Sequence, residues 1–243
     1  MNTKYRCCIF DLDGTLINTL EALTRTINLT LEEFGLEPVD QAHTRKFVGD
    51  GYKLFVERAF AFRGQQDLER IRQAQARYSQ LFQENCLYHV EAYPGIPHLL
   101  AFLKERGIRT AVLSNKGHEE AVRNIEAVFG AGCFDRIAGE QEGIPRKPDP
   151  AGALYTAKAL GVRPEECLYL GDSNTDMRTG IAAGMDTVGV TWGFRSREEL
   201  ESFHPRYLAD DPREVEAILA GQAAAEESGL GCFQTGKDVV KCQ

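Results

Sequence analysis

Hydrophobic residues follow a strand pattern at the start of the chain and a helical pattern directly after it. Residues 5–11, with four consecutive apolar residues before a carboxylate, predict a fully buried strand. From residue 18 to about residue 85, apolar residues recur at steps of three and four. Two such series predict buried helix faces: Leu20, Leu23, Ile27, Leu31 and Phe34, then Leu68, Ile71, Tyr78, Leu81 and Phe82. Because this segment contains no strand candidate, we expect an all-helical block.

After residue 88, short apolar runs alternate with helical segments. Strands are predicted at residues 108–115, 136–139, 167–172 and 186–192, with helices between them. Such alternation predicts parallel βαβ units and therefore an α/β fold with a doubly wound, Rossmann-like sheet. The helix that follows "RKPDP" is expected to have Asp149 as its N-cap and Pro150 as its first residue.

The domain organisation follows from where the helical block interrupts this alternation. The first strand belongs to the same sheet as the later strands, so the helical block is an insertion. We predict an α/β core formed by residues 1–17 and 88–220, with a helical cap at residues 18–87. The segment at residues 221–243 has no clear period, and we expect it to be a mobile tail.

Composition and charge narrow the classes of function. The 243 residues include 43% hydrophobic and 26% charged residues, as in an ordinary globular protein. A net charge of -8 argues against nucleic acid as a partner, because phosphate contacts need clustered Lys and Arg. No apolar run approaches the roughly 20 residues of a membrane span, and none fits a signal peptide, so we expect a cytoplasmic protein without a membrane partner. The seven cysteines form no CxxC pair and indicate neither a zinc site nor a disulfide framework.

Polar side chains follow three of the predicted strands, at the point where each strand ends. Parallel sheets place their sites at this edge, where the strand order reverses. Converging carboxylates repel one another unless a cation neutralises them, and hard oxygen ligands without His or Cys suit Mg²⁺. The residues concerned are Asp11, Asp13, Ser114, Asn115 and Asp172, together with Lys147 in the loop before a helix.

The motifs "DLDGTL", "LSNK", the lysine of "RKPDP" and "GDSNTD", in that order, resemble those of the haloacid dehalogenase-type phosphohydrolases. The helical insertion directly after the first motif is similar to the cap of that superfamily's phosphatase and phosphoglucomutase branch. The second motif, Ser114-Asn115-Lys116, has the form common in phosphoglycolate phosphatases. The resemblance covers residues 1–220 and implies a Mg²⁺-dependent phosphatase that acts on a small phosphate monoester, with phosphoglycolate as the best candidate.

The resemblance also implies roles for the charged residues. Asp11 would attack phosphorus and form an aspartyl-phosphate, and Asp13 would protonate the leaving group and later activate water. Asp13 also separates phosphatases from the dehalogenase branch, which lacks a carboxylate at that position. Lys147 would neutralise charge on the nucleophile and the phosphate. Asp172 would bind Mg²⁺ with the Asp11 carboxylate and the Asp13 carbonyl, and Asp176 would support the metal or Lys147.

Uncharged residues complete the implied site. Thr15 and Ser114, helped by backbone N–H groups after Asp13 and near Asn115, would hold the phosphoryl oxygens. Gly14 would leave room for phosphate to approach the backbone. Gly49 lies in a segment that resembles the specificity loop of the cap. Basic residues flank that loop, and one of them could meet a substrate carboxylate: Arg45, Lys46, Lys53 and Arg58.

The sequence leaves alternatives open. A phosphatase with the same machinery could act on pyrophosphate, a nucleotide or a sugar phosphate. Phosphoryl transfer of the β-phosphoglucomutase type is less favoured, because that branch usually has Val after the glycine of the first motif and Ser-Ser or Ala-Ser in the second. A non-catalytic binding protein is disfavoured because every chemical position is filled. The physiological substrate and the choice between monomer and homodimer stay undecided at this level.

Overall fold

Six parallel strands form the central sheet of the protein, which a computed structural model describes over residues 4–221. The strand order is β5-β4-β1-β6-β7-β8, and a separate antiparallel ribbon joins β2 to β3. The predicted α/β fold with a parallel sheet is therefore confirmed. In chain order the strands are Cys7–Phe10 (β1), Ile17–Asn18 (β2), Glu91–Ala92 (β3), Arg109–Gly117 (β4), Arg136–Glu140 (β5), Cys167–Gly171 (β6), Asp186–Val190 (β7) and Tyr207–Ala209 (β8).

Helices cover both faces of the sheet, and four consecutive helices form the predicted cap. The cap helices α1 to α4 lie between β2 and β3 in the chain, so the insertion predicted from the sequence is confirmed. Over the described residues the α-helices are Leu20–Glu33 (α1), Gln41–Phe47 (α2), Tyr52–Phe62 (α3), Leu68–Asn85 (α4), Ile96–Glu105 (α5), His118–Phe129 (α6), Ala151–Ala159 (α7), Asn174–Ala182 (α8), Arg197–Glu201 (α9) and Pro212–Leu219 (α10).

The central strand β1 is buried on both sides, as its unbroken apolar run predicts. Cys8 and Phe10 pack in a cluster that includes residues of α5, α6 and α10, on one face of the sheet. Cys7 and Ile9 pack on the other face, against residues of α7 and the end of α8. All four side chains are inaccessible to solvent. Successive strand residues point to opposite faces, so a strand covered by helices on both sides must be apolar at every position.

The sheet topology positions the polar residues that follow the strands. From β1 the chain runs to β4 and β5 on one side, and then crosses to β6, β7 and β8 on the other. The strand order therefore reverses beside β1, which pairs in parallel with both β4 and β6. Because the carboxyl ends of these three strands lie at the same edge, the residues after them converge there.

The cap has its own hydrophobic core, which uses most of the two predicted series. Leu68 is an exception, with a side chain that is 66% exposed. It is the first residue of α4 and follows the solvent-exposed N-cap residue of that helix, Asp67. Phe34 is only partly buried. Phe194, which belongs to the α/β domain, also packs in this hydrophobic cluster of the cap. The series members that are buried as predicted are Leu20, Leu23, Ile27, Leu31, Ile71, Tyr78, Leu81 and Phe82.

The short strands and helices, and the N-cap of α7, differ from the sequence-based expectation. The strands β2, β3 and β8 and the helix α9 are too short to produce a recognisable period. The helix α7 begins at Ala151 with Pro150 at the N-cap position, and the Asp149 carboxylate accepts the Ala151 N–H at 2.8 Å. The expected N-cap is therefore one residue too early, although Asp149 does satisfy a free N–H of the first turn.

The domain limits at residues 1–17, 18–87 and 88–220 stay a prediction. The cap helices begin at Leu20 and end at Asn85, within the predicted limits. The predicted tail lies outside the described residues from residue 222 onward. Among residues 4–221, no helix combines the length and the apolar character that crossing a membrane requires.

A matched pair of leucines in the cap tests the burial assignment. Leu31→Ala removes a fully buried side chain from the cap core and should lower the free energy of unfolding by about 2–4 kcal/mol. Leu68→Ala, the same substitution at an exposed site, should change it by less than about 0.5 kcal/mol. Urea unfolding followed by circular dichroism measures both. Equal losses in the two variants would contradict the assignment.

Candidate active site

Three buried aspartates and one buried lysine form the centre of the site. Asp11 directly follows β1 and Asp172 directly follows β6, while Asp176 lies in the first turn of α8. One carboxylate oxygen from each of the three lies within 4.8 Å of the others. The Lys147 Nζ lies 2.7 Å from Oδ1 of Asp11 and 2.7 Å from Oδ1 of Asp176. The first, third and fourth sequence motifs therefore meet at one point.

Asp176 is fully engaged by neighbouring donors. Its Oδ1 accepts from Lys147, and its Oδ2 accepts from the Ser173 backbone N–H at 3.1 Å and the Ser173 hydroxyl at 2.5 Å. Ser173 in turn accepts the Asp176 N–H, which closes a capping box at the start of α8. The capping box fixes the Asp176 carboxylate beneath Lys147, as a counter-charge to the ammonium.

Burial and mutual repulsion oppose ionisation of the other two aspartates. Burial, followed by the nearby Asp176 carboxylate, raises the pKa of Asp11 to about 7, although Lys147 acts in the opposite direction. Burial, followed by the Asp11 and Asp176 carboxylates, also raises the pKa of Asp172 well above its ordinary value. Burial alone would lower the pKa of Lys147, but Asp11 and Asp176 outweigh it and raise that pKa.

This donor set fits a small divalent cation. Asp11 and Asp172 supply buried hard oxygen ligands, and a cation would relieve the repulsion that, together with burial, raises their pKa. The Asp172 carboxylate is also held in a fixed orientation. Its Oδ2 accepts the Phe194 N–H at 2.7 Å, and its Oδ1 accepts the Thr15 hydroxyl at 3.3 Å. This edge of the sheet therefore carries a buried carboxylate cluster whose geometry could hold a metal ion.

Two glycines make room for the Asp172 carboxylate. A Cβ at Gly14, which has a φ of +87°, would lie 2.2 Å from Oδ2 of Asp172. A Cβ at Gly193 would lie 2.3 Å from the Asp172 Cβ. Sequence reasoning expected Gly14 to make room for phosphate; in the structure the group it makes room for is Asp172. The sequence "TWGF" gives no indication that Gly193 makes room for a side chain of the site.

Asp13 lies beside the aspartate cluster, and its contacts were not predicted. Its Oδ1 accepts from the Lys116 Nζ at 2.6 Å and from the Thr19 hydroxyl at 2.7 Å. Lys116 is the last residue of the motif "LSNK", but sequence reasoning gave it no role. The one feature of the sequence that could have marked Lys116 is its position directly after Ser114 and Asn115, where the buried part of β4 ends.

The uncharged residues take positions that differ in part from the implied ones. Thr15 is fully buried, and its hydroxyl donates to the Asp172 carboxylate in this arrangement. The Ser114 side chain lines the cavity, and its Oγ accepts the Lys116 N–H at 3.2 Å. The Asn115 amide binds both the N–H and the carbonyl of Lys147, at 2.9 and 3.0 Å. Asn115 therefore fixes the lysine loop.

The cap closes a cavity of about 140 Å³ over these residues. Its floor contains Asp11, Asp13, Ser114, Lys147 and Asp172. Cap residues form the roof, which is largely aromatic: Leu23, Val48, Gly49, Gly51, Tyr52, Phe55, Tyr78, Ser79 and Phe82. Between floor and roof, the wall includes Lys116, Glu120, Phe194 and Arg195.

Three core side chains attach the cap loop over the cavity, and the end of α2 before it, to the core through four hydrogen bonds. The Asn115 amide donates to the Gly49 carbonyl at 3.2 Å, and the Thr175 hydroxyl donates to the Asp50 carboxylate at 2.9 Å. The Arg195 guanidinium donates to the Val48 carbonyl at 2.6 Å and to the Arg45 carbonyl. Gly49 therefore lies at the cavity, held through its backbone carbonyl, and its part in substrate binding stays a prediction.

Arg45, Lys46, Lys53 and Arg58, one of which could have met a substrate carboxylate, are absent from the lining of this cavity within residues 4–221. Arg58 binds the Asp50 carboxylate and the Phe47 carbonyl, so its charge is already used inside the cap. Arg45 and Lys46 line a neighbouring cleft. The cationic side chains of the described cavity are Lys116, Lys147 and Arg195, all contributed by the core.

The raised pKa of Asp11 predicts how stability depends on pH in the metal-free protein. A carboxyl that titrates near 4 when unfolded and about 7 when folded binds more protons in the folded state between those values. The Asp11 carboxyl should therefore contribute most to the free energy of unfolding below about pH 4. That contribution should fall as the pH rises from about 4 to about 7, where the folded protein must give up its extra proton. Asp11→Asn removes the titration and should flatten the dependence. Urea unfolding in EDTA at several pH values measures the slopes; identical slopes would contradict the prediction.

Comparisons with known proteins agree with this geometry. Residues 8–190 match the family described as haloacid dehalogenase-like hydrolase. The chain is 31% identical to the phosphoglycolate phosphatase of Haemophilus influenzae, over 90% of this chain and 100% of that protein. It is 36% identical to that of Rhodospirillum rubrum, over 85% and 87% of the two chains.

Solved structures show the same fold. A predicted phosphoglycolate phosphatase from Haemophilus somnus has a TM-score of 0.84 and 26% identity, over 90% of this chain and 99% of its own. CbbY from Rhodobacter sphaeroides, solved in complex with phosphate, has a TM-score of 0.72 and 26% identity, over 89% and 99%. The protein belongs to the haloacid dehalogenase-like hydrolase family.

Proposed function

We propose that the protein is a Mg²⁺-dependent phosphatase that hydrolyses a small phosphate monoester, with phosphoglycolate as the preferred substrate. The observation that carries the proposal is the meeting of Asp11, Lys147 and Asp172 on the floor of a small cavity roofed by the cap. The similarity to phosphoglycolate phosphatases over most of the chain supports this choice of substrate.

Asp11 is the proposed nucleophile. Its Oδ1 accepts from Lys147, while its Oδ2 has no hydrogen-bond partner among residues 4–221 and is available for attack. The new bond joins this oxygen to phosphorus, and the ester oxygen leaves with the electron pair of the broken P–O bond. Attack from a buried strand end keeps the nucleophile aligned with phosphorus, which lowers the entropic part of the barrier.

Asp13 is the proposed acid and base. It donates a proton to the departing ester oxygen, so that an alcohol and not an alkoxide leaves. The resulting carboxylate then accepts a proton from water, whose oxygen attacks phosphorus and releases inorganic phosphate and the free Asp11 carboxylate. The sum of the two steps is one water consumed and one ester bond cleaved, with Asp13 returned to its starting state.

Mg²⁺ would be held by the carboxylates of Asp11 and Asp172 and by the Asp13 carbonyl. When bound, it neutralises negative charge on the phosphoryl oxygens and the nucleophile. Lys147 adds a second positive charge beside Asp11, with Asp176 as its fixed counter-charge. Ser114 and backbone N–H groups near Asn115 are the proposed phosphoryl-binding donors, and Thr15 acts through Asp172.

The size of the cavity favours a small leaving group. Sites for drug-sized ligands occupy roughly 300–1,000 Å³, and this cavity is about 140 Å³. A phosphoryl group with a two-carbon leaving group suits that space better than a nucleotide or a hexose phosphate. The roof is also largely aromatic and would exclude water from the reacting atoms.

A substrate panel with a nucleophile variant tests this function. The purified protein with Mg²⁺ should hydrolyse phosphoglycolate with a higher kcat/KM than pyrophosphate, nucleoside monophosphates or glucose 6-phosphate. Asp11→Asn, which keeps the shape but not the nucleophilic carboxylate, should lower turnover at least about 10³-fold. Phosphate release and circular dichroism are measured together. Conversion of β-glucose 1-phosphate to glucose 6-phosphate would show a mutase, and full activity of the variant would contradict the nucleophile assignment.

Glu120 supplies a second test, because its carboxylate lines the cavity on the wall beside Lys116. An anionic substrate is repelled by this charge, so Glu120→Gln should lower KM for phosphoglycolate about three- to tenfold, or about 1 kcal/mol. Glu119→Gln removes the same charge from the exposed neighbouring position and should leave KM within about twofold. Steady-state kinetics at low ionic strength measures both. An unchanged or higher KM in Glu120→Gln would contradict an anionic leaving group beside this wall.

A further inference from the structure

Lys116 is held beside Asp13 by a buried polar network. Its side chain is only 4% exposed, and its Nζ donates to Oδ1 of Asp13 at 2.6 Å and to Oδ1 of Asn124 at 2.8 Å. Asn124 is fully buried, and its amide nitrogen donates to the Cys86 carbonyl at 2.6 Å. The Phe82 ring lies 5.3 Å from the same ammonium. Asn124 and Phe82 therefore hold Lys116 in place in addition to its contact with Asp13.

The two oxygens of the Asp13 carboxylate differ in their hydrogen bonds. Oδ1 accepts from both Lys116 and Thr19, whereas Oδ2 has no hydrogen-bond partner among the described residues. Lys116 belongs to the β4 end of the core, and Thr19 lies at the entry to α1 of the cap. Two donors from different parts of the fold thus orient one oxygen of Asp13, a residue that lines the cavity.

A stabilising ion pair is a weaker explanation for this arrangement. Burying an ammonium and a carboxylate costs desolvation that their attraction often only balances, so a buried pair is poor evidence of stabilisation by itself. A proton-transferring carboxylate, in contrast, must keep one oxygen within reach of the ester oxygen. Its efficiency falls when the carboxylate rotates freely.

We infer that Lys116 is the positioning residue for Asp13: it fixes Oδ1 so that Oδ2 delivers the proton to the leaving oxygen. This inference rests on the proposed function, in which Asp13 protonates the leaving group. Lys116 touches neither the phosphoryl group nor the nucleophile in this role. It acts through the orientation of Asp13.

The role makes the effect of Lys116 depend on the leaving group. An alkyl ester leaves as a strongly basic alkoxide unless it is protonated, so its cleavage needs the acid. p-Nitrophenolate is a weakly basic, stable anion that leaves without a proton. A residue that only orients the acid therefore matters for alkyl esters and hardly matters for p-nitrophenyl phosphate.

The experiment compares three esters in the wild type, Lys116→Met and Lys104→Met, a control at a lysine outside the site. The esters are phosphoglycolate, ethyl phosphate and p-nitrophenyl phosphate. The readout is kcat/KM, which reports steps up to release of the leaving group and excludes hydrolysis of the aspartyl-phosphate. We expect Lys116→Met to lower kcat/KM about 10²- to 10³-fold for both alkyl esters and less than about fivefold for p-nitrophenyl phosphate. Lys104→Met should match the wild type.

Each other outcome overturns a defined part of the argument. Equal losses for all three esters would make Lys116 merely structural, and a loss confined to phosphoglycolate would make it a receptor for the substrate carboxylate. If Lys116→Met does not fold, Asn124→Ala, which loosens Lys116 but keeps its charge, must show the same leaving-group dependence on a smaller scale. Wild-type protein that hydrolyses ethyl and p-nitrophenyl phosphate but not phosphoglycolate would overturn the proposed substrate alone. No turnover of any ester would overturn the function and the role together.

Discussion

The buried Lys147, placed between Asp11 and Asp176, is the interaction on which the rest of the site depends. Three carboxylates meet within 4.8 Å of one another where water is almost absent, and one ammonium cannot neutralise them all. Asp176 is the carboxylate assigned to Lys147, because its remaining oxygen is taken by Ser173. Asp11 and Asp172 are left with excess negative charge. Burial raises the pKa of both carboxyls, the excess negative charge raises it further, and the same excess makes the site suitable for a cation.

The surrounding structure holds this unfavourable cluster together. The capping box at the start of α8 orients Asp176, and Phe194 and Thr15 orient Asp172. Glycines at positions 14 and 193 leave the space that the Asp172 carboxylate occupies. These supports lie on the elements that follow β1, β6 and β7. The same strand ends that bring the carboxylates together therefore also supply the groups that keep them in place.

The cap contributes enclosure and little charge. Its roof is largely aromatic, and the cationic side chains that line the described cavity come from the core. The backbone of the cap loop is attached to the core through Asn115, Thr175 and Arg195, so cap position and floor geometry are linked. Phe194 joins them further, because its N–H binds Asp172 while its ring packs in the cap core. Between this roof and the floor, the wall carries three charged side chains, Lys116, Glu120 and Arg195.

Sequence reasoning recovered the sheet, the inserted cap and the residues at the strand ends, because each leaves a local signal. A buried strand needs an unbroken apolar run, and a polar residue directly after it is conspicuous, as at Asp11 and Asp172. The short strands β2, β3 and β8 were missed because two or three residues cannot establish a period. Leu68 was misassigned because a helix period does not show where the helix begins.

The sequence by itself determined which residue types stand at the carboxyl ends of the strands, and hence the chemistry that converges there. Only the tertiary structure decided which atom each side chain contacts. Lys116 and Asp13 are far apart in the chain, and no local rule pairs them; the parallel pairing of β1 with β4 does. Gly14 likewise makes room for the Asp172 carboxylate, because β1 and β6 end side by side. Periodicity depends on neighbours in the chain, whereas contacts between strand ends depend on strand order, which the local pattern does not encode.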